Sequence, residues 1–457
     1  MRILGSGKPE KYQLYEFTNG IDIDSFLAAQ EIQVQKAWAK VLAQAHILKP
    51  EEQIALDKTL DEALNLIQSN QFDWRIEDED IHMNLERFLT EKLGETGKRI
   101  HLGRSRNDLI ATTLRLFIAQ RLNEASLQVS AVIEAILSQS ESWNAVIIPG
   151  MTHLQNGQPI RMSSVFSSHG WALSRDIERI QIARKRMLEV MPLGSAALAG
   201  TTVSVDLEEL CQLLGFKLPP QNSYDSVGDR DFVLESLDAF ASVGVHLSRF
   251  SEDCILWSST GMGLLQLPSE WSTGSSIMPN KRNPDIPELI RAKSSHLISA
   301  AQQAHLLMKG LPTSYNSDLH ELKKVFLLAS NELEKCLKIL VPFIQGLQIN
   351  TKQAKQLLSQ GHILATDIAN LLTLEGMSFR DAYRELSFLI SEANQNGLSI
   401  ETYLKTANLK NPFLKKVTEQ VTFENAVETR NFSGGTSSLQ VKTSLNHLRE
   451  RLAILLD

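Results

Sequence analysis

Three polar segments of the chain carry the residue types that acid–base or anion chemistry requires. The first, Ser272 to Pro287, reads STGSSIMPNKRNPDIP and leads into a long apolar-periodic run. Gly274 frees the backbone, Ser275 and Ser276 supply hydroxyls, Lys281 a point charge and Asn283 an amide. Asp285, Ile286, Pro287 and Glu288 open a helix whose positive end faces the same loop. An anionic ligand suits such a loop, although a solvated connection capped by Asn and Asp has the same composition. The second segment, Arg99 to Asp108, reads RIHLGRSRND. Here Gly103 would let the backbone approach a ligand, Ser105 or Asn107 would cap a helix, and Arg104 and Arg106 would hold a carboxylate or phosphate at its mouth. Ordinary capping beside exposed arginines is the alternative. The third, Pro149 to Pro159, reads PGMTHLQNGQP, a loop presenting Thr152, His153, Gln155 and Gln158. His153 is either a proton carrier near neutral pH or a hydrogen-bonded structural histidine. A weaker polar cluster, Tyr315, Asn316, Asp318, His320 and Lys323, follows Pro312 where a helix begins, a place where solvated caps are common.

The elements that must position these segments are long helices. Between Gly103 and Pro149 there is no Gly or Pro, and Leu109, Thr113, Leu116, Phe117, Leu127, Ile133, Ile136 and Leu137 recur at three- and four-residue spacings. About 35 helical residues there would span ~50 Å, roughly three times the ordinary helix length. Further breaker-poor runs cover Trp171–Met191, Asp229–Thr260, Glu288–Lys309 and Thr313–Val341. The helix opening at Asp285 has Ile290, Leu297, Ile298 and Ala301 spread around much of its circumference, which implies burial on several faces, as inside a multimer core. Shorter helices are expected at Ala28–Gln44, Glu51–Ser69 and Asp80–Lys92. Strand signals are weak, with Gly200–Val205 reading as a short hairpin arm. The predicted fold is all-α, with three mainly helical domains: an N-terminal one over 1–104, a central long-helix bundle with the serine loop over 105–357, and a small C-terminal one over 358–457.

Composition narrows the function further. The 457 residues hold only 24 Gly and 14 Pro, which favours long helices. Hydrophobic residues make up 43% and charged residues 22%, the profile of a chain that folds. With 46 Lys and Arg against 53 Asp and Glu, the net charge of -7 argues against nucleic acid as a partner while allowing a local basic pocket. Cys211, Cys254 and Cys336 are far apart and show no metal-ligand spacing, so neither a disulfide framework nor a metal site is expected and a reducing cytoplasm fits. Met1 to Lys8 lacks a signal-peptide apolar region, and no apolar run is long enough for a membrane span. Thr260 to Gly263 lacks the pattern of a dinucleotide site, and no HExxH, GxSxG or GxxxxGK[ST] occurs.

Taken together, the segments resemble the argininosuccinate lyase and delta-crystallin branch of the fumarase/aspartase superfamily. Gly274 to Pro284 satisfies the superfamily signature GSSxMPxKxNP at every fixed position. GRSRND at Gly103–Asp108, THLQ at Thr152–Gln155, DSVGDRDFVLE at Asp225–Glu235, EDIH at Glu79–His82 and the glycine pair at Gly434 and Gly435 resemble the same branch, from about Phe17 to the C-terminus. The resemblance implies a homotetramer with each active site built from three subunits, and reversible cleavage of argininosuccinate to arginine and fumarate without metal or organic cofactor. It also implies roles. Ser275 would be the catalytic base, with Lys281, Asn283 and Ser276 around the carboxylate that accumulates charge. His153 would be a general acid or supporting group partnered by Glu288, and Thr152 and Gln155 would position the succinyl group. Arg106 and Asn107 would bind carboxylates, and Tyr315, His320 and Lys323 would line the arginine half. Departures from the branch pattern fall at Gly20, Leu102, Asn156 and His320, where Ser, Thr, Arg and Gln respectively are usual, and the WGGRF of the branch is not recognisable in Ile3 to Glu10. Two other readings stand beside this one: a relative releasing fumarate from another N-substituted aspartate, and a non-catalytic structural paralogue.

Overall fold

The computed structural model describes residues 10–407 and 411–456; the Met1–Lys8 stretch read above lies outside them. The fold is mainly helical. Helices α1 (Ala28–Gln44), α2 (Pro50–Gln68) and α3 (Ile81–Leu93) precede five long ones: α4 (Arg106–Ser142), α5 (Met162–Met187), α6 (Asp231–Ser258), α7 (Asp285–Met308) and α8 (Leu319–Gln345). Short helices follow, and α9 (Ser438–Leu456) comes last among the described residues.

Two compact units share the chain. One contains the described residues up to Ser126, with Arg179–Ser242 and Ser295–Leu333; the other contains Leu127–Glu178, Val243–Ser294 and the described residues from Glu334 onward. In the first unit, Trp38, Val41, Leu42, Leu56, Leu60 and Leu85 form a core that takes in Leu109 and Leu116 of α4. Phe326 stacks on Phe240 and meets Phe117 edge-on. In the second, Trp143, Phe166 and Phe250 pack ring to ring, and Leu372, Leu386, Leu404 and Val417 make a separate core of the C-terminal helices.

α4 has 37 residues, and every residue from Asp108 to Ala119 is buried; its polar members Asp108, Thr112, Thr113 and Arg115 form internal hydrogen bonds. Its start is a reciprocal cap. The Asn107 N–H donates to Ser105 Oγ (3.3 Å), and the Ser105 N–H donates to Asp108 Oδ1 (3.0 Å). Asp108 Oδ2 also accepts from the N–H groups of Gly194 (3.1 Å) and Ala196 (2.8 Å), tying the helix mouth to the loop that follows α5.

Several local expectations are corrected. Gly200–Val205 forms no strand; it runs as irregular chain beside Gly103. Gly103, at φ +81°, is where that segment comes close, not a ligand: a Cβ there would stand 2.5 Å from Val203 Cγ2 and 2.8 Å from Thr201 Oγ1. Gly103→Ala is therefore expected to cost about 1–3 kcal/mol by overpacking and positive-φ strain, with Val203→Ala in the same chain recovering part; urea denaturation of the two variants checks this. Ser105 provides the cap, while the Asn107 side chain donates to the Ala197 carbonyl (3.1 Å). Arg104 is buried and bonded to Gln35 rather than free to hold a ligand.

Pro149–Pro159 is not a loop. β1 (Ile147–Thr152) and β2 (Gln155–Arg161) pair antiparallel, with an irregularity in register between Pro149 and Met151. The turn between them is His153–Leu154, both at positive φ (56° and 58°). That is the φ signature of a type I′ turn, normally made by Asn and Gly, and without those residues the hairpin gives no sequence signal.

Candidate active site

In the first unit, the residues singled out around Arg106 and Tyr315 form one charged cluster. Asp80 caps α3 by accepting from the Met83 N–H (2.9 Å), and its other oxygen receives Arg106 Nε (3.0 Å). Arg106 Nη1 donates to Glu79 Oε2 (3.0 Å), so the guanidinium is forked between two carboxylates. Glu79 itself has φ +63°, and its carbonyl accepts the Gly20 N–H (2.8 Å). Gly20 caps the short helix Ile21–Asp24, which delivers Asp24 to Lys323 in an ion pair buried on both sides. Asp24 Oδ2 has no hydrogen-bond partner among the described residues, and a side chain at Gly20 would begin 3.4 Å from it. Tyr315 Oη is hydrogen-bonded to His320 Nε2. Gly228 lies against the Ser314 backbone so closely that a Cβ would meet its carbonyl oxygen at 2.5 Å. Beside this contact, Arg230 is fully buried and pushed down to about 10 by desolvation.

A second layer supports Asp80 and Arg106. His82 is buried with Nδ1 2.8 Å from Glu31 Oε2, and Glu31 also accepts from Gln35 (2.6 Å) and the Thr113 hydroxyl (2.8 Å). Burial works to lower the His82 pKa, but Glu31 and then Asp80 outweigh it and hold it above 6.5. Burial likewise works to raise Glu31, and His82 outweighs it and holds the carboxyl low. Because folding raises the His82 pKa, its contribution to stability is complete below its unfolded value near 6.5 and is lost as pH rises through the folded value. The stability gap between the natural chain and His82→Gln should therefore narrow as pH rises above 6.5; urea titrations across that range check the slope, and a pH-independent gap contradicts a charged His82.

In the second unit, Thr152, His153 and Gln155 stand exposed at the hairpin tip. The tip borders a cavity of about 1030 Å³ that also meets Asp253 and Trp257. The serine loop is closed by its own ladder: Thr273 pairs with Asn283 and Gly274 with Arg282. The Thr273 N–H donates to Asp285 Oδ2 (3.1 Å), and its hydroxyl bonds the same oxygen, holding the Asp285 carboxyl below the usual range. Inside the loop, Ser275 Oγ accepts two backbone N–H groups, from Ile277 (3.3 Å) and Met278 (3.0 Å). Ser276 and Lys281 are exposed, Asn283 is half-buried, and Glu288 is exposed in the first turn of α7.

The structure thus joins Arg106, Tyr315, His320 and Lys323, with Asn107 one residue further along α4. It does not pair His153 with Glu288 within one chain; both side chains are exposed and no hydrogen bond links them among the described residues. Asp24, Asp80 and Arg230 escaped the sequence reading as cluster members. The signal for Asp80 and Arg230 lay in EDIH and DSVGDRDFVLE, but nothing in spacing shows that Asp24 meets Lys323 nearly three hundred residues away.

The sequence profile of the family described as lyase matches residues 9–298. An argininosuccinate lyase of Geobacter metallireducens is 38% identical over 438 residues, covering 95% of each chain. The chain belongs to the lyase family, in its argininosuccinate lyase branch. A second member of that branch, from Nitrosococcus oceani, is 38% identical over 440 residues, 96% of this chain and 94% of its own. Among solved structures, an EDDS lyase in complex with formate superposes with a TM-score of 0.80 at 21% identity, covering 99% of this chain and 92% of that one. A class II fumarase from Schistosoma mansoni does so at 0.74 and 19%, covering 88% and 91%. These two likenesses show a shared fold. Among the described residues, no helix of this family member is long and apolar enough to cross a membrane.

Proposed function

We propose that the chain is a cytoplasmic carbon–nitrogen lyase that cleaves L-argininosuccinate reversibly to L-arginine and fumarate. The observation that carries this reading is the setting of Ser275: two backbone N–H groups point at its oxygen, and a serine can act as a base only where its alkoxide is stabilised. Relatives of the same branch, matched over 94–96% of each chain, support the choice of substrate.

The proton to be removed lies on the succinyl carbon next to a carboxylate and is weakly acidic. Ser275 takes it, Lys281 and Asn283 hold the doubly charged aci-carboxylate that results, and Ser276 adds a donor. The carbon–nitrogen bond then breaks and the guanidino nitrogen leaves with a proton from a general acid, a role we assign to His153 with Glu288 in support. Thr152 and Gln155 orient the succinyl half, and Arg106 and Asn107 bind carboxylate. Tyr315, His320 and Lys323 line the arginine half. Electrons and atoms balance without a redox cofactor or metal.

Because the hairpin tip and serine loop are exposed, we assign them to sites completed by other subunits of a homotetramer. Leu289, Ile298 and Leu306 of α7 stand exposed as an assembly face would require. Mixing subunits of two inactive variants, Ser275→Ala and Arg106→Met, tests this: shared sites regain activity on mixing, whereas self-contained sites stay dead. Incubating the purified protein with argininosuccinate and identifying both products tests the reaction itself.

A further inference from the structure

Three backbone N–H groups of the first unit converge on the Asp108 carboxylate: Ser105 on Oδ1 (3.0 Å), and Gly194 (3.1 Å) and Ala196 (2.8 Å) on Oδ2. The last two belong to one loop, in which Gly194 (φ +104°), Ala196 (φ +51°) and Gly200 (φ +91°) all take positive φ. Alanine holds such a backbone only where its surroundings over-determine it. Here the Thr201 N–H closes on the Gly194 carbonyl (2.9 Å) and the Gly200 N–H on that of Ser195 (2.9 Å). The Asp108 oxygen grips the loop between these contacts, as anions sit in concavities of backbone N–H groups.

The next residue of the same loop, Ala197, offers its carbonyl to Asn107 Nδ2 (3.1 Å). Two consecutive side chains at the start of α4 therefore hold one loop, and that contact sets the Asn107 amide. A carbonyl acceptor admits only the nitrogen side of an amide, so Asn107 cannot turn over without setting Oδ1 against the Ala197 oxygen. Its second Nδ2 hydrogen is left for a ligand in one orientation. If the loop shifts, the amide is free to turn, and a turned amide meets a carboxylate with its oxygen and repels it.

We propose that Asp108 is a positioning residue: by clamping Gly194 and Ala196 it fixes the Ala197 carbonyl, and through it the Asn107 amide that binds a substrate carboxylate. This rests on the function stated above for Asn107; Asp108 itself, 0% exposed, acts from behind the site.

The test is a double-mutant cycle read as KM and kcat for argininosuccinate. Asp108→Asn keeps the shape but has one acceptor oxygen where the three N–H groups use two. It should raise KM about three- to tenfold with kcat within about twofold, as expected for lost ground-state binding. Asn107→Ala should raise KM about tenfold, and adding Asp108→Asn to it should raise KM no further. Equal factors in both backgrounds, or a loss confined to kcat, would mean a structural role and overturn the assignment. The natural chain supplies a second reading that holds even if Asp108→Asn does not fold. Burial pushes the Asp108 carboxyl up to about 6, against its three N–H partners and Arg104, which itself faces Glu31 and Glu86. As pH falls through 6 the clamp is protonated, so the KM ratio of Asn107→Ala to the natural chain should shrink toward one; a constant ratio overturns the assignment. Either failure leaves the function intact while the natural chain still cleaves argininosuccinate; absence of that cleavage overturns the function and the assignment together.

Discussion

Ser275→Ala is expected to lower kcat for fumarate release by about 10²- to 10⁴-fold, the range that removing a general base costs, with the helical fold unchanged. The side chain is half-buried on a loop, and its oxygen's partners are the Ile277 and Met278 N–H groups, which solvent can take over when the hydroxyl is gone. The loss should therefore fall on the chemical step: kcat drops while KM moves little, because the proposed mechanism sets the hydroxyl against the reacting proton and leaves the anchoring of the substrate carboxylates to other residues. Stopped-time absorbance of fumarate, with circular dichroism of the same sample, checks both parts. A Ser275→Ala protein that retains most of its kcat would remove the serine from the mechanism.

The largest stability effect is expected from breaking the Asp24–Lys323 pair. Lys323 is 4% exposed and Asp24 0%, so neither charge has water to turn to once its partner is lost. Asp24→Ala should cost about 3–5 kcal/mol, the penalty for stranding a buried charge, and Lys323→Ala a comparable amount. Replacing both by apolar residues of similar size, Asp24→Leu with Lys323→Met, should recover most of that loss, because the pair's net contribution is far smaller than the cost of halving it. Activity should not return with stability, since Lys323 is assigned to the arginine half. Urea denaturation and fumarate release on the four proteins separate these roles; additive losses in the double variant would contradict a buried pair.

Much of the fold was legible because helices write themselves in local spacing. α1 begins and ends at the residues the apolar period marked, α2 and α3 fall within one or two residues of theirs, and the gap in Gly and Pro after Gly103 became the 37-residue α4. Asp285 and Pro287 announced the start of α7 for the same reason. The hairpin of β1 and β2 was not legible. His153 and Leu154 occupy positive-φ positions that Asn and Gly usually mark, so the turn was hidden by the residues held at its tip. Gly103 was noticed, but its partner was not: a glycine signals that something approaches, and only the fold shows that it is Val203.

The site was legible as segments and not as an assembly. Arg106, Tyr315 and Lys323 stood out separately, yet what unites them is Asp24 and Asp80, carboxylates whose importance comes from burial beside cations and not from any spacing along the chain. Gly20 drew attention as a departure from the branch pattern, and its place became clear only beside the unbonded oxygen of Asp24. His153 and Glu288 make no hydrogen bond to each other among the described residues, and in the proposed function they meet between different copies of the chain.

The most direct measurement is the product balance from argininosuccinate, with arginine quantified by mass spectrometry and fumarate by ultraviolet absorbance in the same reaction. The account predicts equal amounts of both, formed without added metal or cofactor and abolished in Ser275→Ala. Folded protein that leaves argininosuccinate intact, or that releases fumarate only from a different N-substituted aspartate, would contradict it.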